Sequence, residues 1–163
     1  MHYKTLTVSD ENQIRVILED WSVATRQNRK ADSFKNHLPD ALIYDVLPPL
    51  QYESTEFYCE NCEDRQPETL GDGQFDLENL KITVGSDLAF AHCLISSGGI
   101  MPDGRAVNDL ARATFCLQKL NGTWKVAHQH ISKPYQNSLI DIILKTLDSQ
   151  VTTEETSFNK QKT

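Results

Sequence analysis

The dipeptide Asn121–Gly122 lies between two long runs that alternate apolar and polar residues, Ala106 to Leu120 and Thr123 to Ser132. A two-residue hairpin turn needs positive φ at both central positions, which asparagine and glycine tolerate, and its twist matches that of paired strands. The segment therefore commits this part of the chain to an antiparallel pair of long strands. Upstream, Leu80 to Val84 and Leu88 to Ser97 flank a turn at Gly85-Ser86-Asp87, and Pro102-Asp103-Gly104 makes another turn before Ala106. The second half of the chain reads as a meander.

The first half is helical in its pattern. Ile14, Ile17, Leu18, Trp21 and Ala24 follow a period of 3.6 residues, which predicts an amphipathic helix ending near Gln27. Asp10 is the expected cap, with Gln13 three residues on. A second short helix is expected from Ala31 to Leu38, with Phe34 and Leu38 inward and Pro39 as its end. Ala41 to Leu47 reads as a strand with Ala41, Ile43 and Asp45 on one face and Leu42, Tyr44 and Val46 on the other. Pro48 and Pro49 stop it. Glu53 to Arg65 predicts a third helix, and Gln66 to Gln74 a loop. Leu139, Ile142, Ile143 and Leu147 predict a C-terminal amphipathic helix over 135–148, followed by a polar, disordered tail over 149–163. Helices, a strand, a helix and then a meander give an α+β class. The expected shape is a cone: N-terminal helices packed against a strongly curved antiparallel or mixed sheet, open at one end as a pocket.

Composition narrows the function classes. The chain has 163 residues, of which 39% are hydrophobic, which suits one globular domain with a real core. The formal charge of −7 argues against an extended nucleic-acid footprint. No apolar run approaches the ~20 residues of a membrane helix, and the first ten residues lack the order of a secretory signal. With four cysteines in an acidic domain of this size, reduced thiols and a cytoplasmic setting are expected.

Two segments are distinctive. One is Ala41 to Tyr52, reading ALIYDVLPPLQY; the other is Asn121 to Pro134, reading NGTWKVAHQHISKP. With Arg112 to Thr114 they resemble the SnoaL-like, ketosteroid-isomerase-like proteins of the nuclear transport factor 2-like superfamily, over roughly Asp10 to Pro134. The pattern of Gly122, Trp124, His128, His130 and Ser132 is also similar to the association domain of calcium/calmodulin-dependent protein kinase, an oligomerisation module. The resemblance implies a domain over 1–134 and a cone-shaped nuclear transport factor 2-like fold. The fold hosts isomerases, cyclases, dehydratases, transport adaptors and assembly hubs, so it does not select an activity.

The resemblance gives Asp45 the position of the isomerases' general base. The isomerases' oxyanion tyrosine falls near Trp21 here, which can donate a hydrogen bond but is no acid. Their second acid falls near Thr114 or Phe115, neither of which is acidic. Steroid isomerisation is therefore not expected. A carboxylate at the end of a strand removes a proton if its pocket is dry.

Residues His128 and His130 share one strand face. If the hairpin is regular, Phe115 pairs with His128, and the histidines join Ala113, Phe115, Leu117 and Val126 on the inner face as acid, base or orienting donors beside Asp45. The alternative is a core histidine and a rim histidine. His92 would complete a three-histidine metal cluster only if its strand turned it inward, and no metal or other cofactor is expected. Cys59 and Cys62 form a Cys-Glu-Asn-Cys sequence without the βαβ context of a redox site, so they read as structural or incidental. Arg112 and Arg105 are candidate carboxylate forks; with Phe115 inward, Arg112 faces the other side of the sheet, as a pocket or interface residue. Tyr44 reads as packing.

Two functions are expected as alternatives. In the first, Trp21, Phe34, Phe90 and Phe115 form an apolar wall for a small apolar or weakly acidic ligand. Asp45 then acts as base in an isomerisation, dehydration or hydrolysis. In the second, the domain is a non-catalytic homo-oligomerisation or ligand-sensing module. Either form is expected to be a homodimer through the outer sheet face, with Thr114, Cys116, Ala127 and Ile131 on it.

Overall fold

A computed structural model describes residues 8–61, 69–71 and 73–134. All but Pro134 belong to the first of two units, Met1–Lys133; the second is Pro134–Thr163. The helix expected over 135–148, the tail after it and Cys62 lie outside the described residues.

The elements run α1 (Asp10–Arg26), α2 (Lys30–Ser33), β1 (His37–Tyr44), α3 (Thr55–Asn61), β2 (Gln74–Val84), β3 (Leu88–Ile100), β4 (Ala106–Leu120) and β5 (Thr123–Ser132). The strands form one open sheet in the order β1-β5-β4-β3-β2. β1 runs parallel to β5, and the other pairs are antiparallel. The class is α+β with a mixed sheet, as expected, and β4 and β5 begin and end where the hairpin pattern puts them. Asn121 and Gly122 adopt the positive φ values, 50° and 79°, that such a turn demands.

Helix α1 lays its apolar stripe on the inner face of the sheet. Ile14, Leu18 and Trp21 pack there with Ala91, Phe115, Leu117, Trp124 and Val126. Each such buried large side chain contributes roughly 1.5–3 kcal/mol of transfer free energy. The helix is capped by Ser9, whose Oγ accepts the Asn12 N–H at 3.3 Å, and not by Asp10. Asp10 is instead the first helical residue. Its carboxylate accepts from Lys119 Nζ at 2.8 and 3.0 Å and from Trp124 Nε1 at 3.1 Å. Those two donors, Lys119 foremost, lower its pKa and tie the start of α1 to the end of the hairpin.

The second helix is shorter than expected. α2 stops at Ser33, and the chain is extended from His37 onward, with Pro39 inside β1 rather than ending a helix. The sheet order explains why this is tolerated. β1 is an edge strand, and an edge position can lack an N–H donor.

One irregularity decides the faces of β5. Leu117 pairs with Val126, but Cys116 pairs with His128, so Ala127 is an extra residue on β5. A bulge of this kind turns every following side chain to the other face. Trp124 and Val126 stay inside. Gln129, not His128, lies opposite Phe115 and is buried. His128 and His130 share the outer face with Cys116 and Thr114. Ile131, expected outside, is turned inward.

Candidate functional site

Asp45 follows β1 directly. Alternation from the buried Ala41 and Ile43 brings it to the inner side, where it lines a cavity of about 200 Å³. Both carboxylate oxygens are held. The Val46 N–H donates to Oδ1 at 2.7 Å, and the Tyr58 hydroxyl donates to Oδ2 at 2.8 Å. Tyr58 is carried by α3, and its ring rests against Phe34 at 5.0 Å and Tyr52 at 4.7 Å between centroids. Tyr52 is itself fixed. It is wholly buried, and its backbone exchanges two 2.9 Å hydrogen bonds with Ile43.

The rest of the lining is mostly apolar. Trp21 from α1, Phe34 and Phe75 face Ile95, Ala111 and Ile131 of the sheet. Behind Trp21, the edges of Phe75 and Phe115 pack at 5.4 and 5.1 Å. Asp109 and Lys133 both line the cavity and form an ion pair with each other. Thr25, Ser33, Ser97, Asn28 and Lys30 add polar groups.

Beyond the cavity lining is a buried polar pair. His37 Nε2–H donates to Gln129 Oε1 at 3.0 Å, and its ring packs on Phe34 at 4.7 Å. Burial lowers the His37 pKa to about 4, against a smaller upward pull from Gln129. The imidazole is neutral at neutral pH.

Of the residues expected to form the site, Asp45, Trp21 and Phe34 meet around the cavity. Phe115 supports Trp21 from within the core and does not line the cavity. Phe90 pairs with Cys116 and is exposed on the outer face, so it forms no part of the wall. Arg112 pairs with Leu94 and Ser132 and is likewise exposed there. His128 and His130 do not meet Asp45. Their rings pack on Tyr44 at 4.9 and 5.4 Å, and His128 Nδ1–H donates to the Leu42 carbonyl at 2.7 Å. His92 joins this outer row through Thr114. Cys93 and Cys116 point to opposite faces, and Cys59 sits half-buried on α3. No group of three or more metal-ligating side chains is assembled among the described residues. None of their helices is long and apolar enough to cross a membrane.

Sequence reading missed Tyr58, Phe75, Asp109 and Lys133. The third helix was legible, but nothing in its pattern aims Tyr58 at Asp45.

The sequence model of the SnoaL-like domain matches residues 14–136. The chain belongs to that family. Solved structures agree on the fold. An NTF2-like protein of unknown function from Pseudomonas putida KT2440 is 26% identical, with a TM-score of 0.67 over 80% of this chain and 92% of that one. A provisionally assigned dehydratase of the NTF2-like family from Streptomyces avermitilis is 19% identical, with a TM-score of 0.64 over 78% and 97%. The association domain of C. elegans CaMKII is 14% identical, with a TM-score of 0.63 over 76% and 95%. No curated protein matches the chain. SnoaL-like membership thus fixes the architecture and leaves the chemistry to the cavity.

Proposed function

We propose that this SnoaL-like protein binds a small, mainly apolar molecule in the cavity and that Asp45 acts on it as a general base. The reaction class is proton removal from carbon or water, as in isomerisation, dehydration or hydrolysis. The observation that carries this reading is the Asp45 carboxylate, lining an aromatic cavity while the Val46 N–H and the Tyr58 hydroxyl hold its two oxygens. Both donors fix the carboxylate's direction, so little reorganisation is needed when a ligand proton arrives. Tyr58 orients the base.

The test needs no knowledge of the physiological substrate. Hydrogen–deuterium exchange at the α-carbon of small ketones in D₂O, followed by NMR, reports proton abstraction directly. The protein is expected to accelerate exchange of at least one member of a panel, and Asp45→Asn to lower the rate roughly 100-fold or more with the fold intact. Exchange no faster than buffer with every ketone would reject the reading.

A second reading, assembly through a homodimer, is supported by the outer sheet face. Phe90 is 47% exposed, Leu94 37% and Leu110 53%. Similarity to an association domain points the same way. Light scattering at micromolar concentration is expected to give about twice the 18.5 kDa chain mass. A mass of one chain would remove the second copy. A cytoplasmic setting is supported by the unpaired thiols of Cys93 and Cys116.

A further inference from the structure

Burying the His37–Gln129 pair has a cost. Both side chains are buried. With Nε2–H donating to Gln129 Oε1 at 3.0 Å, the other ring nitrogen of His37 has no hydrogen-bond partner among the described residues. An unpartnered buried acceptor is destabilising, and two apolar side chains of the same shape would avoid it. What an apolar aliphatic pair lacks is a flat ring whose tilt a hydrogen bond can fix. Gln129 lies on β5 opposite Ile43 of β1, so the imidazole is tied to the sheet itself. Burial keeps the ring neutral, with a pKa of about 4, so it packs on apolar neighbours as an uncharged plate.

The His37 ring packs on a residue that also faces the cavity. Phe34 belongs to the same turn: the His37 N–H donates to the Phe34 carbonyl at 2.9 Å. The two rings meet edge to face, with centroids 4.7 Å apart. Phe34 in turn rests on Tyr58 at 5.0 Å, and the Tyr58 hydroxyl donates to Asp45 Oδ2 at 2.8 Å. A continuous line of contact therefore runs from the hydrogen bond on the sheet to the carboxylate. Aromatic pairs prefer particular tilts, so fixing the first ring restrains the next. Tyr52 supports Tyr58 as well, at 4.7 Å, so loss of the line should loosen Tyr58 without freeing it.

We propose that His37 is a positioning residue for Asp45, holding the Tyr58 hydroxyl on the carboxylate through the ring of Phe34. The proposal rests on the reading of Asp45 as a base and adds to it a residue that does not line the cavity. The ring carries the effect, and Gln129 sets its tilt.

The experiment pairs α-carbon exchange of small ketones with NMR of the full chain isotope-labelled at the tyrosine Cζ, whose shift reports hydrogen bonding of the hydroxyl. The Tyr58 signal is identified by its loss in Tyr58→Phe. His37→Gln keeps a donor for Gln129 and removes the ring. It is expected to lower kcat for exchange about tenfold with KM within about twofold. It should also move the Tyr58 signal toward that of free tyrosine. His37→Phe restores a ring and not the hydrogen bond, and should keep kcat within about threefold of wild type. Leu117→Ala, a core change outside this line, should lower the melting temperature at least as much while kcat stays within about twofold.

A fall in Leu117→Ala as deep as in His37→Gln would make the effect one of general stability and overturn the proposal. So would an unmoved Tyr58 signal in His37→Gln. Should that variant fail to fold, Phe34→Leu breaks the line at its half-buried middle ring and should move the Tyr58 signal the same way; no movement overturns the proposal. The two readings fail separately. Wild-type protein that exchanges no ketone removes Asp45 as base, while the Tyr58 signal still decides whether His37 acts on that hydroxyl. Full exchange in His37→Gln keeps the base and removes His37.

Discussion

The inner and outer faces of this sheet are made by the same strands, yet they solve opposite problems. Inside, Phe115, Leu117, Trp124 and Val126 are buried under α1, and the cavity opens beside them. Outside, Phe90, His92, Leu94, Leu110, Arg112, His128 and His130 share a surface with little cover from the described residues. Which titratable groups reach the cavity is decided by alternation and by the one extra residue at Ala127. The histidines look like site residues by type and spacing, but their face is set by a backbone irregularity. The difference teaches that a residue's chemistry on a strand is available only on the side its register gives it.

The sharpest way to probe that contrast is a pair of phenylalanines. Phe115→Ala removes a fully buried ring that contacts Trp21 at 5.1 Å. It is expected to cost about 3–5 kcal/mol and lower the melting temperature by roughly 10 °C or more. Phe90→Ala, on the outer face, should change monomer stability by only about 0.5 kcal/mol. Calorimetry on both variants checks this. Equal losses would mean that the outer face is as well packed as the core.

Acid offers the next contrast. In the unfolded chain His37 titrates near 6.5, whereas burial holds it near 4 in the fold. Between those values the unfolded chain binds a proton that the folded chain refuses. Stability is therefore full above about pH 6.5 and falls as pH drops toward 4, by about 3 kcal/mol in total. Denaturant unfolding between pH 7 and pH 4 should show that slope, and His37→Gln should flatten it. An unchanged slope in the variant would assign the acid sensitivity to other groups.

For catalysis the faces should separate cleanly. Asp45→Asn should lower α-carbon exchange roughly 100-fold, whereas His128→Asn and His130→Gln should leave it within about twofold. A large loss in either histidine variant, with the fold intact, would return the outer row to the site.

Much of this architecture was legible beforehand. The periodicity of α1, the bounds of β4 and β5 and the inward aim of Asp45 follow from local rules that the chain obeys. The misses share a cause. The bulge at Ala127 leaves no turn residue in the sequence to announce it, so strict pairing put His128 opposite Phe115. The stretch from Phe34 to Leu38 carries a helical pattern, but pairing of β1 with β5 wins there, and Pro39 is harmless at an edge. Tyr58 comes to the cavity from α3, Asp109 from β4 and Lys133 from the chain just past the end of β5. No local spacing links them to Asp45, since only tertiary packing does.

The smallest effect tests what covers the outer face. Cys93 points inward and Cys116 outward on neighbouring strands. Burial raises the Cys93 pKa to about 11, so almost none of it is thiolate at pH 8, and the reagent must also reach it. Cys116 is exposed in the single chain. Alkylation followed by peptide mass spectrometry should modify Cys116 about a hundredfold faster than Cys93 in dilute protein. If a second copy packs on the outer face, Cys116 should slow as concentration rises through the dimerisation range, while Cys93 stays equally slow throughout. Loss of concentration dependence in Leu110→Lys, which puts a charge among the exposed apolar residues, would tie the protection to that face. A Cys116 rate independent of concentration, in a protein that light scattering reports as a dimer, would instead put the dimer contact elsewhere and leave the outer histidine row open to solvent.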